Sequence, residues 1–245
     1  MHSTKTSPKN TPTNPHRLLA IGDIHGYRNK LDALLDTLQP TLDDKVVFIG
    51  DYIDRGPNSR GVIECLLAFH KQFPKTVFLR GNHEQMLLDW QNQSSADSRE
   101  IFMRNGGQET LESYGGSLKQ IPDEHLHFIS TTQLLHLETI VEDDGQKKQK
   151  FLFVHAGVNP AQPLNQQTPH DLLWIREAFI RSTRPCGDII VVHGHTPTDN
   201  VPGDDLYRIA IDSGVFLKGP IKRNSRVLGG KLTCCDVLTK HIWQA

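Results

Sequence analysis

Cysteine is scarce in this chain. Cys65, Cys186, Cys234 and Cys235 are the only four in 245 residues, and no two of them form a CxxC pair. That spacing argues against a zinc-thiolate site and against a disulfide framework. Four reduced thiols suit a reducing compartment, so a cytoplasmic location is expected. Cys234 and Cys235 are adjacent in an apparent strand and should point to opposite faces. Excess charge is missing too, with 27 Lys and Arg against 28 Asp and Glu. A nearly neutral chain has no global field to attract nucleic acid or an anionic membrane, and neither is an expected partner. No apolar run approaches the roughly 20 residues of a membrane span. The stretch Met1 to His16 contains no acidic residue, no apolar signal-peptide core and no run of arginines. Rich in Ser, Thr, Pro and Asn, it is expected to be a disordered tail over 1–16.

What remains, residues 17–245, reads as one globular domain. Hydrophobic residues make up 37% of the chain and charged ones 22%, a composition that can bury a sizeable core. The spacing predicts strand, loop and helix in alternation. Arg17 to Ile21 is followed by an amphipathic stretch from Tyr27 to Leu38. Lys45 to Ile49 leads to a helix through Val62, Leu66 and Phe69, and Thr76 to Leu79 to one through Met86, Leu87 and Trp90. Such alternation predicts α/β architecture with parallel βαβ units. Helices with breaks at Gly106-Gly107 and Gly115-Gly116 are expected from about Gln91 to Gln133. A hairpin-like pair, Leu134 to Val141 and Phe151 to Val154, should flank the turn 142–150, and Ile189 to Val192 is a further buried strand.

Each of the first three strands ends in Gly or just before it, and each is followed by a potential oxygen ligand: Asp23, Asp51 or Asn82. In parallel sheets the crevice beyond the carboxyl ends of the strands is where ligands bind. Helix capping is the plain alternative for any one of them. Three at strand ends, each joined to a His or Arg, make capping alone a poor account. The chain offers, in order, Gly22-Asp23-Ile24-His25-Gly26, Gly50-Asp51-Tyr52-Ile53-Asp54-Arg55-Gly56, Gly81-Asn82-His83-Glu84, His155-Ala156-Gly157 and Gly194-His195-Thr196-Pro197.

Taken together, these five segments resemble the metallophosphoesterases, and specifically the bacterial and phage-type branch of the phosphoprotein phosphatases. The resemblance implies a calcineurin-like fold, a two-sheet β-sandwich core flanked by helices. It implies two divalent metal ions, with Mn²⁺ expected and Fe or Zn²⁺ as alternatives. Asp51 would bridge them. Asp23 and His25 would complete one position, and Asn82, His155 and His195 the other. His83 would be the general acid, oriented by Asp54. Arg55, Arg176 and Asn82 would bind the substrate phosphate. Arg176 sits in Trp174-Ile175-Arg176-Glu177, which resembles a phage-type clamp segment; its other reading is the exposed face of an amphipathic helix. His193 and the remaining histidines read as packing or solvent residues, and Asp212 as structural or supporting rather than a ligand.

The implied function is phosphomonoester hydrolysis on a phosphorylated protein (Ser/Thr, with Tyr as an alternative) or a small phosphoester, by direct in-line attack of a hydroxide bridging the two metals. Symmetrical dinucleoside tetraphosphate hydrolysis is the nearest rival, sharing nearly every motif. Glu84 leans toward the phosphatases, since those hydrolases typically carry Asp there. A non-catalytic metal-binding regulator is a third reading, disfavoured because it would need neither His83 nor Asp54 nor Arg55.

Overall fold

Leu18–Ile21 forms β1, and all four side chains are buried, alternate ones facing opposite layers. This computed structural model describes residues 14–141, 148–203, 205–217, 221–223 and 226–245. Most of the expected tail (1–13) and of the expected turn (142–147) lies outside them. Asn14 is described: its Nδ2 donates to Val141 O at 2.5 Å and its Oδ1 accepts from Val141 N–H at 3.2 Å.

β2 (Lys45–Phe48) and β3 (Val77–Phe78) pair parallel to β1, joined through α1 (Arg28–Leu38) and α2 (Ser59–Gln72). α3 (Asn82–Gln91) follows β3, then α4 (Ser98–Phe102), a π turn (Met103–Gly107), α5 (Gln108–Ser113) and α6 (Asp123–Thr131). The expected glycine break falls at Gly106, whose φ of 98° kinks the chain between α4 and α5. β4 (Leu135–Val141) and β5 (Lys148–Val154) pair antiparallel, as the hairpin pattern predicts. After α7 (Pro169–Trp174) and α8 (Glu177–Ile180), β6 (Ile190–His193) and β7 (Arg208–Ala210) extend this second sheet in parallel.

The remaining strands add antiparallel pairs to the parallel units. β8 (Ile221–Arg223) and β9 (Arg226–Leu228) form a separate hairpin. β10 (Thr233–Asp236) and β11 (His241–Gln244) return to the first sheet and pair antiparallel. The first sheet runs β11-β10-β1-β2-β3 and the second β4-β5-β6-β7.

Alternation within the strands makes the layers. Leu18, Ala20, Val47, Ile49 and Cys235 of the first sheet pack on Phe151, Phe153, Val192 and Ile209 of the second. Leu19, Ile21, Phe48 and Cys234 face the other way, onto Leu31, Leu34, Val62 and Leu66 of α1 and α2. The outer face of the second sheet, Leu152, Val154 and Val191, is covered by Leu172 and Phe179 of α7 and α8. The two adjacent cysteines thus serve different layers, and all four cysteines are free. The result is the expected two-sheet sandwich with helices outside. Among the described residues no helix is long and apolar enough to cross a membrane.

Candidate metal centre

The carboxyl ends of β1, β2, β5 and β6 and the start of α3 meet at one crest, and the loops there carry the motif residues. Backbone conformation marks the place. His25, Asp51, Asp54, Arg55 and His195 all have positive φ, between 46° and 73°. A non-glycine residue adopts that region only when its surroundings force it to, and such positions gather at functional sites.

Asp51 is buried at the centre. Its Oδ2 lies 3.5 Å from His25 Nε2 and 3.9 Å from His83 Nε2, while Oδ1 lies 3.4 Å from His155 Nε2. The two oxygens therefore face two different sets of imidazoles, the arrangement a bridging carboxylate needs. Donor atoms of His25, Asp51 and His83 all lie within 4.8 Å of one another, and so do those of Asp51, His155 and His195. Asn82 Oδ1 lies 2.9 Å from both His155 Nε2 and His195 Nδ1. Asp23 joins neither trio. Its carboxylate accepts the His195 N–H at 3.2 and 3.3 Å, and a Cβ on Gly194 would come within 2.3 Å of its Oδ1. Glycine at 194 lets that carboxylate lie against the His195 loop.

The rings themselves carry the test of fit. His25 Nδ1–H donates to Ile53 O at 3.0 Å and His155 Nδ1–H to Ile49 O at 2.9 Å. Both bonds fix the tautomer and leave Nε2 as an acceptor, the usual support of a metal-binding histidine; in His25 that lone pair accepts from Arg55 Nη1–H at 2.9 Å. Burial lowers the pKa of His25, His155 and His195, so these rings are held neutral. His155 Nε2 then points its lone pair at Asn82 Oδ1 and Asp51 Oδ1, both acceptors. Lone pairs facing one another repel, and a cation among them reverses the sign. Among the described residues, buried His83 Nε2, His195 Nε2 and Asp212 Oδ2 have no hydrogen-bond partner. The donor set fits divalent metal.

His83 is built differently. Its Nδ1 is 2.6 Å from Asp54 Oδ2. Burial would lower its pKa, but the charges of Asp51 and Asp54 and the Asp54 hydrogen bond outweigh that and hold it above the ordinary imidazole value. Asp54 is fixed in turn by residues with no sequence signal. Thr110 Oγ1 donates to Asp54 Oδ1 at 2.6 Å, and Asp54 N–H donates to Thr110 Oγ1 and Ser59 Oγ at 2.8 and 3.1 Å.

Glu84 does not face the crest. Its carboxylate accepts N–H groups from Asp51, Tyr52, Gly81 and, at 3.3 Å, Ile53. It ties the β2 loop to the start of α3, so its identity reports loop geometry more than substrate. The signal for it was its place three residues after Gly81, where an acidic residue closes a helix N-terminus. Arg55 lies half-buried, its guanidinium stacked 4.1 Å from the Phe216 ring and its Nη1 2.9 Å from His25 Nε2. Arg55 N–H donates to Gly106 O at 3.0 Å. Arg176 is exposed between α7 and α8 rather than on a helix face, and its Nη1 donates to Thr196 Oγ1 at 3.1 Å. Beside Thr196 opens a cavity of about 620 Å³ reaching Glu177, Asp205 and Arg208. His193 lines that cavity, its ring 4.8 Å from Phe179. Asp212 is buried, and together with Asp51 its charge adds to burial in pushing the Asp23 carboxyl well above its usual range.

A family model for calcineurin-like phosphoesterases matches residues 16–227. A stretch of 88 residues is 39% identical to the serine/threonine-protein phosphatase rdgC of Drosophila melanogaster, covering 34% of this chain and 13% of that protein. This chain therefore matches only a small part of that relative's length. A solved protein with a provisional diadenosine tetraphosphatase assignment superposes with a TM-score of 0.63 at 20% identity, over 94% of this chain and 95% of its own. A Saccharomyces cerevisiae serine/threonine phosphatase similar to human PP5 gives 0.60 at 14% identity, over 96% and 81%. At these identities the structural likeness speaks to the fold.

Proposed function

This chain belongs to the calcineurin-like phosphoesterase family, and from that footing we propose that it hydrolyses phosphomonoesters, acting as a phosphoprotein phosphatase. The observation that carries the reading is His83, tied through Nδ1 to Asp54 at 2.6 Å with its buried Nε2 unpartnered beside Asp51. A purely metal-storing site has no use for such a dyad.

Asp23, His25 and Asp51 would hold one cation, and Asp51, Asn82, His155 and His195 the other. Carboxylate, amide and imidazole donors without thiolate suit Mn²⁺, with Fe or Zn²⁺ as alternatives. Two such cations would lower the pKa of a water in the site and offset the charge on the phosphoryl oxygens. Arg55 and Arg176 grip those oxygens through their guanidinium forks, with Asn82 beside them. Phe216 under Arg55 limits where that fork can swing. Water attacks phosphorus in line, losing a proton to solvent, while the bond to the leaving oxygen breaks and that oxygen takes a proton from His83 Nε2. Asp54 keeps His83 charged and aimed until then. No phosphoenzyme forms.

Dinucleoside tetraphosphate hydrolysis stays as the second reading, favoured by the whole-chain superposition on the provisional tetraphosphatase. Against it, a tetraphosphate needs several matched cations, while Arg181 and Arg184, nearest in sequence to the clamp, are already paired with Glu177 and Asp188. The test is a kinetic panel with Mn²⁺. A phosphopeptide should give a higher kcat/KM than diadenosine tetraphosphate. Symmetrical cleavage of the dinucleotide to two ADP, faster than any phosphopeptide, overturns the substrate choice.

A further inference from the structure

We infer that Asp212 is an additional carboxylate of the cation-binding centre, placed on its Asp23 side, where it strengthens the hold on the cation that Asp23 and His25 would keep. This rests on the two-cation reading above and extends it to a residue outside the motif set.

Asp212 follows β7 directly, and its segment is locked beside the motif loops. Ile211 N–H donates to His193 O at 2.9 Å and Thr198 N–H to Asp212 O at 3.0 Å. A Cβ on Gly22 would come within 2.5 Å of Ile211 O, so Gly22-Asp23 packs straight onto Ile211-Asp212. The side chain is 2% exposed. Its Oδ1 accepts Gly214 N–H at 2.8 Å and closes a local turn. Its Oδ2 is buried and has no hydrogen-bond partner among the described residues. Asn or Ser would close that turn as well and bring no charge. The second oxygen is therefore unexplained by the turn, and an unpaired buried carboxylate is costly.

The surroundings name its counterpart. Asp212 shares its neighbourhood with the carboxylates of Asp23 and Asp51 and with the guanidinium groups of Arg55 and Arg176. Those arginines are expected to meet phosphate, which leaves three carboxylates to be balanced by a cation. The two positions thereby become unlike. On this inference one would draw on Asp23, Asp51, Asp212 and a single imidazole, whereas the other would draw on Asp51, the neutral amide of Asn82 and two imidazoles. Hard, charged oxygen donors raise affinity for hard divalent cations.

Metal-stripped full-length chain is titrated with MnCl₂ by calorimetry, alongside Asp212→Asn, Asp212→Ser and His195→Ala. Removing a supporting carboxylate of this kind weakens metal binding by about 10- to 100-fold. Asp212→Asn and Asp212→Ser should each weaken one of the two affinities by that factor and spare the other, while His195→Ala weakens the one they spare. In chelator both Asp212 variants should melt no lower than wild type, and Mn²⁺ should raise their melting temperature less. Unchanged affinities, equal weakening of both, or a lower melt in chelator with normal Mn²⁺ binding overturns the inference and leaves Asp212 a turn residue. A wild-type chain that takes up no Mn²⁺ overturns the two-cation reading, and this inference with it.

Discussion

His83 donates through Nδ1 to Asp54, so only Nε2 is left to reach a substrate. That geometry ties its role to the leaving group. His83→Asn should lower the rate on an alkyl phosphate by about 10²–10⁴-fold and on p-nitrophenyl phosphate far less, because nitrophenolate hardly needs a proton. Equal losses on both, measured side by side with Mn²⁺, point to a binding role instead. Away from the crest, Asp44 shows how a single charge supports the fold. Arg17 Nε and Nη2 reach its two oxygens at 2.9 and 2.6 Å, and Thr41 N–H adds a bond of 2.7 Å. Burial would raise the Asp44 pKa, but the Arg17 and Thr41 hydrogen bonds win and lower it. A depressed folded pKa means stability that is present above the unfolded value and lost as pH falls through the folded one. Asp44→Asn should therefore cost about 1–3 kcal/mol in urea unfolding at neutral pH. That deficit should shrink as pH drops below about 4. A deficit that persists unchanged in acid marks lost packing, not lost charge.

Elements determine which of these residues could be read in advance. The place of Asp23, Asp51 and Asn82 at the crest was legible because apolar strands ending beside Gly and a polar residue put that residue at the sheet's carboxyl edge, and the motifs pointed to His25, His155 and His195 beside them. Thr110, Ser59 and Phe216 were not. They come from segments with no pattern of their own, and only the packing of α2, α5 and the loop after β7 brings them to Asp54 and Arg55. Glu84 was visible in its motif, but its work as a clamp on four backbone N–H groups appears only in three dimensions. The π turn between α4 and α5 gives a direct test of how a remote element sets the site. Gly106 has φ 98°, and a Cβ there would meet Arg55 Cγ at 2.8 Å. Gly116 has φ 106° with nothing within 4 Å. Gly106→Ala and Gly116→Ala should both lose about 1–3 kcal/mol of stability from backbone strain. Only Gly106→Ala should also raise KM for a phosphoester, through a displaced Arg55. Equal kinetics in the two variants would detach α4 and α5 from the phosphate grip.

At the scale of the whole molecule, the parallel β1–β2–β3 core was legible from the alternation of strand and helix, since buried parallel strands read as apolar runs. The sheet edge that β10 and β11 join and the β8–β9 hairpin were not, because short strands after a long loop carry no signal of where they pair. The sandwich serves the crest by bringing the proposed ligands of both sheets together, Asp23 and Asp51 from the first, His155 and His195 from the second. Neither sheet alone holds the proposed set, so the proposed centre depends on the assembled fold. Metal dependence tests this most directly. Chain stripped with excess chelator should have no phosphomonoesterase activity on p-nitrophenyl phosphate, and Mn²⁺ should restore it more fully than Mg²⁺, which binds imidazole poorly. Asp51→Asn, which touches both positions, should not recover at any Mn²⁺ concentration. Full hydrolysis in excess chelator, with no metal found in the protein, would contradict the account.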